Sequence, residues 1–226
     1  GIYVSNSRLT NDNPVIRWNE SYDNRGNGIQ VNGDCGSGGD GSITGALIEG
    51  NLVHDNGLKG LSLISMSDSL VQNNVIYHNG KVAGAGGIHL TDELGCGKPS
   101  SGNVIVNNTI IEPRIACLRL SDGATANIIF NNVLIGPRPI ADESENNFID
   151  KSSNAEMDSE VGVFNNAPAG DYRLLLTSSA KNTGLTSFRD KPAPRFDREG
   201  NRRRAALRSE EHTSELQSPY VISYAV

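Results

Sequence analysis

Several features of familiar protein classes are missing from this 226-residue chain. No stretch carries apolar residues at the helical period over a useful length, which argues against helices. No apolar run is long enough to cross a membrane, and neither a secretion signal nor a basic run stands at the start. Aromatic residues make up only 5% of the chain, whereas its 25 glycines suit an architecture built on tight corners.

The chain also lacks a basic excess, since its formal charge is −6. Residues 208–218 match one reading frame of a common sequencing-library adapter, and the residues after them fit its continuation. We therefore expect residues 208–226 to be a non-native tail. Removing that tail takes away one Arg and three Glu, which changes the charge from −6 to −4. Such mild acidity argues against nucleic acid as the main partner, because nucleic acid favours a basic face.

What the chain does contain is an internal repeat. A short apolar run, an asparagine pair, a second apolar run and a polar break recur at 46–57, 68–80, 102–111 and 126–136, with a weaker copy at 14–24. Between these copies lies a second signature, typified by Gly-Ile-x-Val, which starts at Gly1, Gly28, Gly60, Gly87 and Cys117. Those starts are 27, 32, 27 and 30 residues apart, and periods in this range indicate a solenoid.

The repeat predicts an all-β fold, a right-handed single-stranded parallel β-helix of about five to six coils. Each turn holds three short strands bounded by Gly, Asn or Asp. Coils stack about 4.7–4.9 Å apart, so equivalent residues form ladders along the solenoid. The clearest predicted ladder lies at a corner between two strands and contains Asn19, Asn51, Asn74, Asn108 and Asn132. Asn tolerates the left-handed conformation of such a corner, and its amide can bond the Asn above and below, so we assign this ladder a structural role.

The expected organisation has three parts. Residues 1–140 form the coils, residues 141–207 form an irregular closing segment, and residues 208–226 are the tail. Because the chain starts directly on a strand, we expect the natural N-terminus to lie upstream. Two long loops, 32–42 and 91–101, carry Cys35 and Cys96. Positions two coils apart lie about 9–10 Å from each other, so a disulfide between these cysteines requires the loops to bend. Cys117 is expected to be a small buried apolar residue.

Over roughly residues 1–150 the chain resembles the right-handed parallel β-helix, pectate-lyase-like superfamily. The resemblance rests on the apolar, Asn-Asn, apolar core and on the Gly-Ile-x-Val starts. It implies a secreted bacterial protein, extracellular or on the cell surface and expected to be a monomer, that acts on or binds polysaccharide. Members of this superfamily commonly cleave acidic polysaccharides by β-elimination.

Outward side chains of one sheet give the candidate site. If the apolar residues of Gly-Ile-x-Val point inward, the residue between them points out, and the next outward position follows two residues later. The predicted outward residues include Tyr3, Gln30, Ser62, His89 and Arg119, with Asn32 in the next column. We expect Tyr3, Gln30, Asn32, Ser62 and Asp122 to contact substrate.

The resemblance implies roles for the reactive members of this face. In β-elimination a base removes the proton α to a uronate carboxylate, while a cation neutralises that carboxylate. His89 suits the base and Arg119 the neutralising cation, one coil apart. Acidic loop residues are candidate oxygen ligands for Ca²⁺, namely Asp34, Asp40, Asp92 and Glu93.

Two other interpretations stay open. A non-catalytic module that binds glycans or spaces other domains fits the same repeat, with His89 and Arg119 as incidental residues of a solvated face. A glycoside hydrolase needs two carboxylates around the scissile bond, and Asp92 and Asp122 lie one coil apart, so we favour a lyase over a hydrolase. A Ser–His–Asp arrangement finds no support, because His54 and His78 belong to a different face.

Overall fold

A computed structural model describes residues 1–6, 12–36, 38–82, 86–93, 95, 98–112, 114–144 and 146–203. The first two coils contain β1 (Ile2–Ser5), β2 (Val15–Arg17), β3 (Glu20–Tyr22), β4 (Ile29–Asn32), β5 (Ile43–Thr44), β6 (Leu47–Glu49) and β7 (Leu52–His54). The next two contain β8 (Leu61–Ile64), β9 (Met66–Ser67), β10 (Leu70–Gln72), β11 (Val75–Tyr77), β12 (Ile88–Thr91), β13 (Val104–Val106) and β14 (Thr109–Ile111). The last two contain β15 (Ala116–Leu120), β16 (Ile128–Phe130), β17 (Val133–Ile135), β18 (Arg138–Asp142), β19 (Phe148–Ile149) and β20 (Ala155–Met157).

Three parallel six-stranded sheets run along the solenoid. The first sheet has the order β1-β4-β8-β12-β15-β18, the second β19-β16-β13-β10-β6-β2 and the third β20-β17-β14-β11-β7-β3. Each coil contributes one strand to each sheet, and every strand pairs with its equivalent in the next coil. This is the predicted parallel β-helix, with six coils. The short pair β5 and β9 forms an additional small sheet beside the first.

The sixth coil extends past residue 140, where we expected the coils to end. Pro139 lies inside β18, and β18 is an edge strand of the first sheet. Proline has no N–H to donate, but at a sheet edge that position can face the open side, where no ladder hydrogen bond is required. The strand therefore forms despite Pro139. The coils therefore continue through Met157.

One narrow core fills the solenoid. The strands of the first sheet alternate as predicted, so Ile29 and Val31 are fully buried while Gln30 between them points outward. Equivalent pairs in the other coils, such as Leu61 with Leu63 and Ile88 with Leu90, join the same cluster. Each buried aliphatic side chain contributes about 1.5–3 kcal/mol of transfer free energy, so the core is the main stabilising element of the fold.

The predicted asparagine ladder is confirmed. Each amide donates to the side-chain oxygen of the asparagine in the next coil, at 2.9 or 3.0 Å. The ladder runs through Asn19, Asn51, Asn74, Asn108 and Asn132 and gains one further member, Asn154. One detail differs from the expectation. In the first five coils the left-handed residue is the one before the ladder asparagine, namely Trp18, Gly50, Asn73, Asn107 and Asn131. In an Asn-Asn pair the first asparagine therefore forms the corner and the second forms the ladder.

Two further ladders occupy the other corners and were not predicted. One runs from Ser69 through Asn103 and Asn127 to Asn147. The other runs from Asn24 through Asn56 and Asn79 and ends on the carboxylate of Glu112. Apart from Asn147, which follows Asn146, their members stand singly rather than in Asn-Asn pairs, which made them inconspicuous in the sequence.

The closing segment packs on the outside of the coils. It contains β21 (Phe164–Asn166), the 3₁₀ helix Ala167–Ala169, β22 (Asp171–Leu174), β23 (Ser187–Phe188) and β24 (Lys191–Pro192). Phe164, Tyr172 and Leu174 cover apolar residues of the third sheet, and Leu185 and Phe188 pack on the outer face of the second.

The closing segment is also held by the left-handed corner asparagines. Asn131 exchanges two hydrogen bonds of 2.8 Å with the backbone of Leu185. Asn73 donates to the carbonyl of Phe196 at 3.0 Å and accepts from Arg203 at 2.8 Å. In the pairs 73–74 and 131–132 the first asparagine therefore hydrogen-bonds to the closing segment outside the solenoid, whereas the second forms the interior ladder.

Glu112, at the end of its ladder, makes stability depend on pH. Its side chain is fully buried, and burial raises the pKa of its carboxyl from 4.5 to about 7 despite the hydrogen bonds from Asn79. Its Oε2 has no hydrogen-bond partner in the described part of the chain. A carboxyl whose pKa is higher folded than unfolded binds its proton more tightly when folded, so its contribution is full below pH 4.5 and is lost as the pH rises through about 7.

We therefore expect Glu112→Gln to remove this pH dependence. Between pH 5 and 8 the wild-type free energy of unfolding should fall by about 2–3 kcal/mol relative to the variant. Urea unfolding at several pH values measures this difference. The exposed Glu156, replaced by Gln, is the matched control and should follow the wild type. Parallel pH curves for wild type and Glu112→Gln would contradict the assignment.

Candidate functional site

The outward face of the first sheet carries the predicted polar column. Strand register aligns Tyr3 with Gln30, Gln30 with Ser62, Ser62 with His89 and His89 with Arg119. The outer faces of the other two sheets bear apolar clusters that pack on the closing segment. The first sheet thus presents mainly polar and charged groups, whereas the other two sheets present apolar clusters beside polar residues such as Glu49, Gln72 and His54.

His89 lies at the centre of this face and is only 6% exposed. Its Nε2 is 2.8 Å from the Ser121 hydroxyl, which donates to Asp122 Oδ2 at 2.7 Å. Because that hydroxyl proton is directed to Asp122, Ser121 accepts the Nε2 proton of His89, and Nδ1 keeps its lone pair. Nδ1 has no hydrogen-bond partner among the described residues. The arrangement is a neutral imidazole, fixed in one tautomer, whose Nδ1 lone pair is buried and unpartnered among the described residues.

This network was not predicted from the sequence, in which Ser121 lies 32 residues from His89. The order is His–Ser–Asp with serine in the middle, and Ser121 is 2% exposed, so it does not form a nucleophilic triad. Asp122, predicted to contact substrate, accepts from Thr91 at 2.7 Å as well as from Ser121. The hydrogen bond from Thr91 is the largest cause of a lowered Asp122 pKa, followed by that from Ser121, and the carboxylate therefore stays charged.

Lys59 is a further candidate residue that was not predicted from the sequence. It immediately precedes Gly60, outside the Gly-Ile-x-Val column on which the prediction rested. Burial, followed by the charge of Arg119, lowers the pKa of its ammonium group, and Asp122 opposes that shift. The pKa of His89 is lowered from 6.5 to about 4, chiefly by burial and further by the positive charges of Lys59 and Arg119. Two cations therefore act on one neutral histidine.

Arg119 is held in place by Glu143, a residue of the sixth coil. Its Nε and one terminal nitrogen bind the two carboxylate oxygens of Glu143 at 3.0 and 2.8 Å. Arg138 approaches the same carboxylate at 3.7 Å. Glu143 was not predicted, since the coils were expected to end at residue 140.

The remaining predicted contact residues lie toward the first coil. Tyr3 is 60% exposed, and its hydroxyl accepts a hydrogen bond from Asn32 at 3.2 Å. The Gln30 side-chain oxygen accepts from Asn27 at 2.8 Å. Asn32 Oδ1 and Ser62 Oγ are buried without a partner within the described ranges. Unsatisfied buried polar atoms are costly, so this face favours a polar ligand that would satisfy them.

The four predicted Ca²⁺ ligands do not converge. Asp40 accepts from Asn6 at 2.8 Å and from the Ser42 backbone at 3.1 Å, and it pairs with Lys98 at 3.5 Å. The Ser42 bond is the largest cause of a lowered Asp40 pKa. The described residues contain no group of three or more His, Cys, Asp or Glu that could hold a metal ion. Asp40 therefore forms no such group with Asp34, Asp92 and Glu93. A role for Ca²⁺ stays a prediction, and we derive no step through it.

The two long loops nevertheless meet. The Asp40–Lys98 ion pair joins loop 32–42 to loop 91–101. Cys35 is disulfide-bonded, whereas Cys96 lies outside the described residues. Cys117 is free and buried as predicted, and burial raises the pKa of its thiol to about 12.

Comparison with known proteins adds a fold relative. Searching curated proteins gives no match. Among solved structures, the A-module of mannuronan C-5 epimerase AlgE6 from Azotobacter vinelandii matches with a TM-score of 0.58 and 19% sequence identity. The match covers 69% of this chain and 42% of that module, so this chain spans less than half the length of its relative. No helix in the described residues is long and apolar enough to span a membrane.

Family assignment follows from the coils themselves. The sequence model of the right-handed β-helix region matches residues 1–157, from the first strand to the last strand of the sixth coil. Both comparisons confirm the fold predicted from the Asn-Asn repeat and the Gly-Ile-x-Val starts. The chain therefore belongs to the right-handed β-helix region family.

Proposed function

We propose that this chain acts on uronate-containing polysaccharides by removing the proton α to the uronate carboxylate. The observation that carries the proposal is the placement of His89, whose Nδ1 has no partner among the described residues, near the cations Lys59 and Arg119 on one polar sheet face. Because Nδ1 is buried, the side chains over it must move aside when substrate binds. A base beside two cations is the arrangement that this proton transfer requires, since the proton is acidic only when the carboxylate charge is neutralised.

The proposed step is as follows. Lys59 and Arg119 bind the substrate carboxylate, and His89 Nδ1 accepts the α proton. The electron pair of the broken C–H bond delocalises into the carboxylate, whose oxygens the two cations stabilise. The positive charge that develops on His89 is stabilised through its Nε2–H, which donates to Ser121 and thence to Asp122.

Substrate binding itself should strengthen the base. The pKa of His89 is lowered to about 4 by burial and by the charges of Lys59 and Arg119. A bound carboxylate neutralises both cations, which removes their part of the shift. The imidazole then becomes a better proton acceptor when substrate is present.

The carbanionic intermediate has two outcomes. Expulsion of the 4-linked oxygen, which takes up the proton held by His89 or one from water while the electron pair forms a C=C bond, gives the lyase reaction. Protonation of the carbanion by water on the opposite face, with His89 releasing its proton to solvent, inverts the carbon and gives an epimerase. The fold relative is named a mannuronan C-5 epimerase, which favours a substrate of this class and leaves both outcomes for the experiment. A polymeric substrate fits an extracellular or cell-surface location and action as a monomer.

A glycan-binding module without catalysis is the second candidate. It is favoured by the burial of His89, whose ring is covered by neighbouring side chains and 6% exposed. The exposed Tyr3 at the other end of the column would then contribute a stacking surface.

Proton exchange distinguishes these candidates. The complete chain is incubated in D₂O with mannuronan, with polygalacturonate and with a neutral glucan, each with Ca²⁺ or a chelator. We expect one of two changes in a uronate polymer and neither in the glucan. Deuterium at the α carbon with inversion, followed by NMR, identifies the epimerase, and growth of ultraviolet absorbance from a new C=C bond identifies the lyase. Retention on a glycan with neither change would support the binding module and overturn the catalytic proposal.

A further inference from the structure

We infer that Glu143 occupies Arg119 as an internal substitute for the substrate carboxylate, so that uronate binding requires an exchange of one carboxylate for another. This inference rests on the proposed function. It makes Glu143 a residue that sets affinity and charge selectivity rather than one that takes part in proton transfer.

The geometry of the pair supports substitution. Arg119 binds Glu143 through the paired edge formed by Nε and a terminal nitrogen, with bonds of 3.0 and 2.8 Å. This two-bond fork is the edge best suited to any carboxylate, including that of a uronate. The bond from Arg119 is the first cause of the lowered pKa of Glu143, so the carboxylate stays charged and competes at neutral pH.

The pair is also placed so that it can open. The side chains of Arg119 and Glu143 are 38% and 37% exposed, and ion pairs this exposed contribute little net stability. Arg138, at 3.7 Å from the Glu143 carboxylate, offers a second cationic partner on the outer side. A uronate arriving at Arg119 therefore displaces Glu143 toward Arg138, and each charge keeps a partner.

This exchange would make binding selective for charged sugars over neutral ones. A neutral sugar offers no charge to replace Glu143, so the Arg119–Glu143 pair stays closed against it. The opposite role is that Glu143 merely orients Arg119 toward the substrate. The two roles predict opposite effects of removing the Glu143 charge, since loss of a competitor strengthens binding and loss of an orienting partner weakens it.

The experiment is calorimetric binding of a uronate oligosaccharide and a neutral oligosaccharide of equal length to wild type, Glu143→Gln and Glu143→Ala. Competition predicts about two- to fivefold tighter uronate binding by both variants, with no change for the neutral oligosaccharide. Asp171→Asn is the matched control, because Asp171 forms a comparable two-bond pair with Arg173 at 2.8 and 2.6 Å in β22 of the closing segment.

The outcomes are separable. Unchanged or weaker uronate binding by both Glu143 variants, with wild type still preferring uronate, would overturn the competition and leave the proposed function standing. No preference for uronate in any of the proteins would overturn the proposed function and this inference together. Thermal melting of each variant confirms that the binding data refer to folded protein.

Discussion

Replacing His89 by glutamine is expected to slow exchange of the uronate α proton by about 100- to 10,000-fold, the usual contribution of a positioned base. Glutamine keeps a polar group beside Ser121 but has no basic lone pair at neutral pH. The rate at which deuterium replaces the α proton of the polymer in D₂O, followed by NMR, measures this decrease. Binding of the polymer should be retained, because Lys59 and Arg119 remain.

Two further variants make this result specific. His78→Asn is the matched control, since His78 is an exposed corner residue with φ of 54° and asparagine accepts that conformation. It should leave exchange unchanged. Asp122→Asn keeps the corner conformation of residue 122, at φ 51°, but removes the charge that supports the His89 network, and should slow exchange by a smaller factor. Full activity in His89→Gln would exclude His89 as the base.

The pH profile of kcat/KM gives an independent check on His89. Because its pKa in the free chain is about 4, the imidazole stays neutral across a wider acidic range than an ordinary histidine of 6.5. We expect the acidic limb to lie near pH 4 and not near 6.5. An acidic limb near 6.5 would mean that the titrating group is a different, more exposed one.

The largest expected effect on stability belongs to the interior ladder. Replacing Asn108 by alanine should lower the free energy of unfolding by about 3–5 kcal/mol. Its side-chain oxygen accepts from the backbone and side chain of Asn74 at 3.0 and 2.9 Å, and its amide donates to Asn132 and to the carbonyl of Val71. All of these groups are buried, so truncation leaves several of them without a partner.

The neighbouring residue supplies the control. Asn107 is the left-handed member of the same pair, at φ 55°, and glycine adopts that conformation without strain. Asn107→Gly should therefore cost about 1 kcal/mol or less, several times less than Asn108→Ala. Urea unfolding of the two variants beside wild type measures the difference. Equal losses would mean that the second asparagine of the pair has no special structural role.

Much of the architecture could be predicted because each coil repeats the same local chemistry. Alternating strands such as Ile29–Asn32 determine which side chains enter the core, and the Asn pairs at 73–74, 107–108 and 131–132 mark the same corner in three coils. The outward column from Tyr3 to Arg119 followed directly from this alternation. Repetition made these features visible, since an irregular chain would have offered only one copy of each.

The chemistry of the site was less predictable because it depends on which residues of different coils lie level with each other. Loops of unequal length separate His89, Ser121 and Glu143, so their spacing in the chain does not reveal that Ser121 reaches His89 or that Glu143 reaches Arg119. Lys59 stands outside the repeated signature altogether and acts on His89 from an adjoining coil.

The sequence by itself thus determined the solenoid, its core and its principal ladder, because these arise from side-chain alternation and corner residues within single coils. Only the tertiary structure decided that the closing segment covers the second and third sheets and that Arg119 meets Glu143. These features depend on contacts between segments that the repeat does not relate, and packing and electrostatics settle them only once the chain has folded.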